Sequence, residues 1–410
     1  MALLTTNRSY QFLFSASAVS NLGDGISALA FPWLATLLTR DPALIAWVAF
    51  AQRLPWFLFS LPAGVITDRF DRRLLMVRAD MFRFILTCGV IALIFSLPSM
   101  PLTDDPLPYI LALSGLAMLL GTAEVVRDNA AQTVLPSIVA KTDLETANGQ
   151  IWSIEHIIGS FIGPPVAGVL IALAVPVPFA VDAMTFALAA WLVWMIALPP
   201  RPARPPRKIW PEVVEGWMWI YRHPVILRLA VMLGLINGIS IMTLTVLVLF
   251  SQDILGLSAI GHGVLLTAGA AGGVLGGILG PHVVKYLGVQ RSIWCAMLLF
   301  PVPFVLIALT SNAYVVALAL FLEMIGALLW NIVTVSYRQR LIPDDLLGRV
   351  NSIYRFFGWG MMPFGALAAG LIVSAAEPNM GREAALRLPF IIGAAGMGLM
   401  LIYGRIKLRL

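Results

Sequence analysis

Pro199-Pro-Arg-Pro-Ala-Arg-Pro-Pro-Arg-Lys208 decides the architecture of this chain. Five prolines in that stretch exclude a helix, because each removes an amide donor and fixes φ. It lies almost at the middle of 410 residues. On both sides stand apolar runs of about 20 residues, the length that crosses a hydrocarbon layer. Six precede it, at residues 11–38, 43–66, 74–97, 107–126, 149–174 and 178–198. Six follow it, at 225–250, 260–284, 290–310, 313–336, 348–374 and 387–404. The reading is an all-α polytopic membrane protein of twelve transmembrane helices in two pseudo-symmetric six-helix bundles. The bundles are residues 1–198 and 225–410, and residues 199–224 are the linker between them.

Composition agrees with a lipid solvent. Hydrophobic residues make up 60% of the chain and charged ones 12%, with a mean hydropathy of +0.89. A soluble domain carries about 25% charged residues, so this chain lacks the polar surface to face water all round. The net charge of +6 sits in basic loops, with no basic face interleaved with aromatics, and a nucleic-acid partner is not expected. Cys88 and Cys295 lie in different apolar runs, so neither a disulfide nor a CxxC metal site is expected. The first apolar run is too long for a cleavable signal core.

Orientation follows from Lys and Arg at the span ends. With the N-terminus inside, that side holds Arg69, Arg72, Arg73, Arg78, Lys141, the basic linker and the Arg405–Arg409 tail. The opposite side receives Arg40, Arg382 and Arg387. Both termini are therefore expected in the cytoplasm of a cell whose inner membrane holds the chain. After the linker, Trp210 to Tyr221 reads as a short amphipathic helix on the inner membrane surface, with Val213, Val214, Trp217, Ile220 and Tyr221 on its apolar side.

The halves echo each other. Leu144-x-x-x-Asn148 opens the fifth span and Leu347-x-x-x-Asn351 the eleventh, and Gly163 and Gly168 recur as Gly365 and Gly370 at the same spacing. Repeats of this kind place a carrier's binding site between the two halves.

Two motifs and several longer stretches carry a family resemblance. Gly64-Val-Ile-Thr-Asp68-Arg69-Phe-Asp71-Arg72-Arg73 ends the second span and resembles motif A of the major facilitator superfamily, with Asp71 where that pattern often has Gly. Asp68 and Arg72 can pair if the helix continues that far. The resemblance implies a conformational latch in which Asp68 also faces the start of helix 11, at Asp344 and Asp345. Gly159-Ser-Phe-Ile-Gly163-Pro164-Pro165-Val-Ala-Gly168 is similar to motif C of the superfamily's antiporters, which implies export. The stretches SNLGDGISALAFPWL, LETANGQ, GSFIGPPVAGVL and LLGRVNSIYR resemble the exporter branch that includes the enterobactin exporter and the macrolide efflux proteins.

Ionisable groups inside a bilayer are costly and are functional candidates by default. Asp24 lies roughly 20 Å from the inner face and Arg53 roughly 15 Å from the outer face, at about 1.5 Å per residue. These depths nearly coincide, so Asp24 and Arg53 are expected to approach each other, either as a static pair or as a proton-carrying carboxylate beside a cation. Glu124, Arg127 and Asp128 end the fourth span. Glu124 and Arg127 are three apart and are expected to pair, leaving Asp128 in need of another partner. Asp80 and Arg83 have the same spacing on span three. These groups form either a cytoplasmic gate network or part of a proton path. The superfamily's cavity is lined by helices 1, 4, 7 and 10. The resemblance thus puts Asp24, Glu124, Asn237, Glu323, Trp330 and Asn331 near cargo, with Trp330 the candidate cavity aromatic.

No Walker loop, zinc pattern or nucleophile–base pair stands out, so a carrier rather than an enzyme is expected, with no cofactor and no metal. The expected activity is export of a small hydrophobic or amphipathic molecule by proton antiport, as a monomer in the bilayer, with two bundles rocking about a midplane cavity. A lipid or lysolipid flippase on the same fold is the alternative carrier. A membrane receptor on this scaffold is the alternative outside transport, though no loop is long enough for a signalling domain.

Overall fold

The computed structural model describes residues 2–103, 105–198, 209–343 and 346–408, apart from the side chains of residues 2, 60–69, 141, 145, 209, 210, 212, 347 and 348. The proline-rich linker, Asp344 and Asp345, and the side chains of Gly64, Asp68 and Arg69 therefore lie outside the described residues.

The described elements are helical throughout. In the N-terminal half they are α1 (Ala2–Thr6), α2 (Arg8–Leu38), α3 (Pro42–Arg69), α4 (Arg72–Phe95), α5 (Leu107–Ile138), α6 (Leu144–Glu155), a π-helical segment (His156–Ile162), α7 (Gly163–Leu173) and α8 (Val177–Trp194). Then come α9 (Ile209–Arg222), α10 (Pro224–Asp253), α11 (Ala259–Leu299), α12 (Pro301–Leu309), α13 (Ala313–Leu341), α14 (Leu347–Gly360), α15 (Met362–Met380) and α16 (Arg382–Lys407).

Among the described residues, nine helical runs are long and apolar enough to cross a membrane. One of them, Ala259–Leu309, is two spans, because Gly288 within it takes φ 77° and ψ 169° and turns the chain. Only a residue without Cβ enters that region without strain. Helices α2 and α4 have spanning length, 31 and 24 residues, but carry Asp24, Asp80 and Arg83. Together these account for the twelve spans.

Local signals explain the helix ends. Asn7 caps α2 by accepting from the Tyr10 amide, and Asp71 caps α4 by accepting from the Leu74 amide at 2.9 Å. The chain leaves helical geometry at Phe70 and Asp71, so Asp68 and Arg72 stand on different helices and cannot form the same-helix pair expected for them. Arg72 instead donates to the Thr133 carbonyl (2.5 Å) and the Ser137 hydroxyl (3.1 Å) near the C-terminus of α5. Arg73 donates to the Ile196 carbonyl (3.1 Å) just beyond α8. Both cations thus sit where the helix dipole is negative.

The chain forms two compact units. The first comprises Met1–Arg40, Ala51–Arg207 and Ala259–Gly263. The second comprises Asp41–Phe50, Lys208–Ser258 and Val264–Leu410. In the first, α4 packs on α5 and α8, and α2 packs on α7 and α8. One buried cluster there joins Tyr10, Leu13, Met76, Val134 and Val193, and the Tyr10 hydroxyl donates to Gln150 at 2.8 Å. In the second, α10 packs on α14, α15 and α16.

Each unit contains the same backbone approach. A Cβ built on Gly163 would stand 2.7 Å from the Gly25 Cα, and one built on Gly365 would stand 2.9 Å from the Gly238 Cα. Glycine at these positions lets α2 meet α7, and α10 meet α15, backbone to backbone. The internal repeat in the sequence is thus a repeated contact in the fold. The residue before each glycine of the first helix is Asp24 in one unit and Asn237 in the other.

Helix α9 is amphipathic as expected, but its apolar residues divide. Ile220 is buried with Ile226, Ile342, Val350 and Ile353, and Trp217 stacks on Phe357 at 6.0 Å. Val214 and Tyr221 remain exposed. The helix therefore docks on α14, where Arg349 also pairs with Glu215 at 2.6 Å, and does not simply rest its whole apolar side on lipid.

Candidate functional site

Three apolar helices of the first unit each contribute ions to one cluster. On α2, Asp24 pairs with Arg83 of α4, whose guanidinium also takes Ser20 at 3.3 Å. Arg83 lies 3.7 Å from Asp80, one helical turn before it. Asp80 in turn lies 3.5 Å from Arg127 of α5, and Arg127 lies 3.4 Å from Asp128. The result is an alternating row, Asp24–Arg83–Asp80–Arg127–Asp128, running across α2, α4 and α5.

Burial along the row is graded. Asp80, Arg83 and Arg127 expose 0, 4 and 2% of their side chains, whereas Asp24 and Asp128 keep 32 and 36%. The interior of the row is sealed and its two terminal carboxylates are reachable. Charges withdrawn this far from water persist only when paired. The Arg83 guanidinium also stacks 3.8 Å above the Phe186 ring of α8, which fixes its plane.

Several expected partners change. Asp24 meets Arg83, not Arg53. Equal depth in a bilayer fixes height along the normal but not the rotation of a helix about its axis. Arg53 lies within electrostatic reach of Glu124 instead. Arg127 turns to Asp80 and Asp128 rather than to Glu124, because a carboxylate on the facing helix reaches the sealed guanidinium. Asp128 finds its partner in its own neighbour. Helix α5 also runs on to Ile138, so these groups lie within it rather than at its end. Glu124 remains part of the assembly, within reach of Asp24, Arg83, Asp128 and Arg53. The expected Asp80–Arg83 pair is present.

Asp182 was missed by the sequence reading. It lies in the second turn of α8, is 1% exposed, and accepts from the Ser27 hydroxyl of α2 at 2.5 Å. The signal was the same as for Asp24: a single acid in an apolar span.

The span after this cluster, Thr146–Leu173, stays helical throughout but widens into a π-helical segment before Pro164. The Gly163 amide bonds the Ile158 carbonyl five residues back, closing the π-helical segment that contains Gly159. Pro164 and Pro165 follow and supply no donors, so the wide turn stands immediately before them. Gly168 marks a second close approach, against Ala259 and Ile260.

The second unit holds the other candidates. Glu323 of α13 accepts from Ser240 of α10 at 2.8 Å. The Asn237 amide donates to the Gly358 carbonyl at 2.8 Å, near the end of α14. Asn331 is exposed. Trp330 is not a cavity aromatic. It is 1% exposed and packs 6.0 Å from Phe300, because its bulk fills the core between α13 and the α11–α12 junction.

Comparison with known proteins gives the family and the fold. The family described as transmembrane secretion effector matches residues 4–406. The staphyloferrin A transporter of Staphylococcus aureus is 25% identical over 362 residues, covering 87% of each chain. The multidrug efflux pump Tap of Mycolicibacterium fortuitum is 25% identical over 393 residues, covering 92% of each. Among solved structures, the nucleoside transporter NupG superposes with a TM-score of 0.73 at 13% identity, covering 98% of this chain and all of that one. A bacterial homologue of the iron transporter ferroportin, in its inward-facing state, gives 0.72 at 16% identity, covering 96% and 98%. With twelve helical spans in two units and a family match along almost its whole length, the chain belongs to the transmembrane secretion effectors of the major facilitator superfamily.

Proposed function

We propose that this protein exports an amphipathic small molecule across a bacterial inner membrane in exchange for protons, acting as a monomer with both termini in the cytoplasm. The observation that carries the reading is the alternating row from Asp24 to Asp128. Three carboxylates there face two guanidiniums, so the row carries one negative charge more than its cations balance. A proton on Asp24 leaves two carboxylates against two guanidiniums within the row. The acids at its ends are reachable and its middle is closed, as a device that takes up a proton without leaking it requires.

Export and small-molecule cargo are supported by the relatives named as a staphyloferrin A transporter and a multidrug efflux pump, and by the Gly-Pro motif of the fifth span. Glu323, Asn237 and Asn331 are the polar groups proposed to meet cargo. Asp24 is the group proposed to exchange protons, with Glu124 within its field. The decisive experiment uses the purified chain in liposomes with an imposed pH gradient and ethidium as the probe. Ethidium movement that follows the gradient in the wild type and stops in Asp24→Asn supports the reading. Undiminished gradient-driven movement in a folded Asp24→Asn protein overturns it.

A further inference from the structure

Asp182 belongs to no step of the reading above, yet its surroundings are unusual. It sits on α8 one turn before Phe186, the ring over which the Arg83 guanidinium lies at 3.8 Å. Residues four apart share a helix face, so Asp182 stands on the face that Arg83 covers. Its other wall is α2: a Cβ on Gly23 would strike the Asp182 Oδ1, so this carboxyl is seated against the backbone beside Asp24. One oxygen, Oδ2, accepts from Ser27, while Oδ1 has no hydrogen-bond partner among the described residues.

The charged groups acting on Asp182 are Asp24 from α2 and Arg83 from α4, and Glu124 of α5 acts on the same Arg83. Asp24 and Asp182 therefore both act on one guanidinium, which also has Asp80 at 3.7 Å. In the described arrangement Asp24 holds it, and Asp182 has only neutral neighbours, the Ser27 and Thr185 hydroxyls. A buried acid with one oxygen unfilled beside a shared cation is a second place for that cation to go.

We infer that Asp182 is a reserve counter-ion: when Asp24 takes up a proton, Arg83 turns from Asp24 to Asp182, whose Oδ1 has no hydrogen bond. The proton adds to the Asp24 carboxylate, the guanidinium stays protonated throughout, and the salt bridge is exchanged rather than lost. Ser27 holds Asp182 in waiting. Asp182 is thus a positioning residue that acts through Arg83. The inference rests on the reading of Asp24 as the proton carrier, but its test needs no cargo.

The test is an infrared pH titration of the full chain in lipid nanodiscs, following the protonated-carboxyl stretch that disappears in Asp24→Asn. Asp182→Asn removes the carboxylate proposed to receive Arg83, while Asp80 stays 3.7 Å from it as before, so Arg83 is expected to remain on Asp24. The Asp24 band is then expected to need about tenfold more protons, one unit on the pH axis. Ser27→Ala frees Asp182 to compete for Arg83 and moves the band the opposite way. A role in packing alone would not give shifts of opposite sign. A band unmoved in both variants, or moved in one common direction, overturns the inference while leaving Asp24 as the proton carrier. Absence of any titrating Asp24 band in the wild type overturns both.

A second readout guards against variants that fold poorly. If Arg83 has two alternative partners, Asp24→Asn and Asp182→Asn together lower the melting temperature by more than the sum of the single changes. Additive losses would overturn the exchange, because independent sites add.

Discussion

Arg127 on α5 and Asp80 on α4 face each other across two apolar helices, 3.5 Å apart, with almost no surface of either reaching the outside. Removing one member strands the other in a sealed interior. Arg127→Ala is therefore expected to cost about 3–5 kcal/mol. Thermal unfolding of the detergent-solubilised variant checks this. Asp80→Asn combined with Arg127→Gln removes both charges together and is expected to cost less than Arg127→Ala alone.

Arg83 touches Asp24, Ser20 and Asp80 and stacks on Phe186. A lysine there keeps the charge but lacks the planar fork that serves several partners at once. Arg83→Lys is expected to keep the fold and to lose at least about tenfold in gradient-driven ethidium transport, roughly 1.4 kcal/mol. Wild-type rates in proteoliposomes would contradict the use of its geometry.

The paired backbone approaches predict a symmetric penalty. Gly163→Val and Gly365→Val each drive a branched side chain into the backbone of the neighbouring helix. Each is expected to destabilise its unit by about 1–3 kcal/mol or more. Melting curves of the two variants should fall together. A large loss for one and none for the other would show that the repeated contact is not equally tight.

Asp71 caps α4 at the position where the resembling motif often has glycine. Asp71→Ala is expected to cost about 1 kcal/mol and Asp71→Gly only a few tenths, the usual order for a helix N-cap. Differential scanning of the two proteins separates capping from any charge effect in the loop.

The architecture was legible because it depends on length and solvent alone. Twenty apolar residues cross a bilayer whatever their neighbours are, and the linker at residues 199–208 divides them by its prolines. Asp24, Arg127 and Asp128 were legible for the same reason, since an ion in oil must have a purpose. Their pairing was not. Whether Asp24 meets Arg53 or Arg83 depends on how α2 and α4 are rotated, and packing contacts such as Gly25 against Gly159 and Gly163 help set the rotation of α2. Trp330 was misjudged because a tryptophan on a helix expected to line a cavity can equally fill a core. The pairing of Asp68 with Arg72 required a helix that in fact stops at Arg69.

Where α2 carries the carboxylate Asp24, α10 carries the amide Asn237, whose donor is occupied by the Gly358 carbonyl. An amide neither gains nor loses a proton in the physiological range, so of these two equivalent positions only the one on α2 carries an ionisable side chain. If the proposed division of labour holds, altered cargo choice is to be sought in the second unit, around Ser240 and Glu323, and altered coupling around Asp24 in the first.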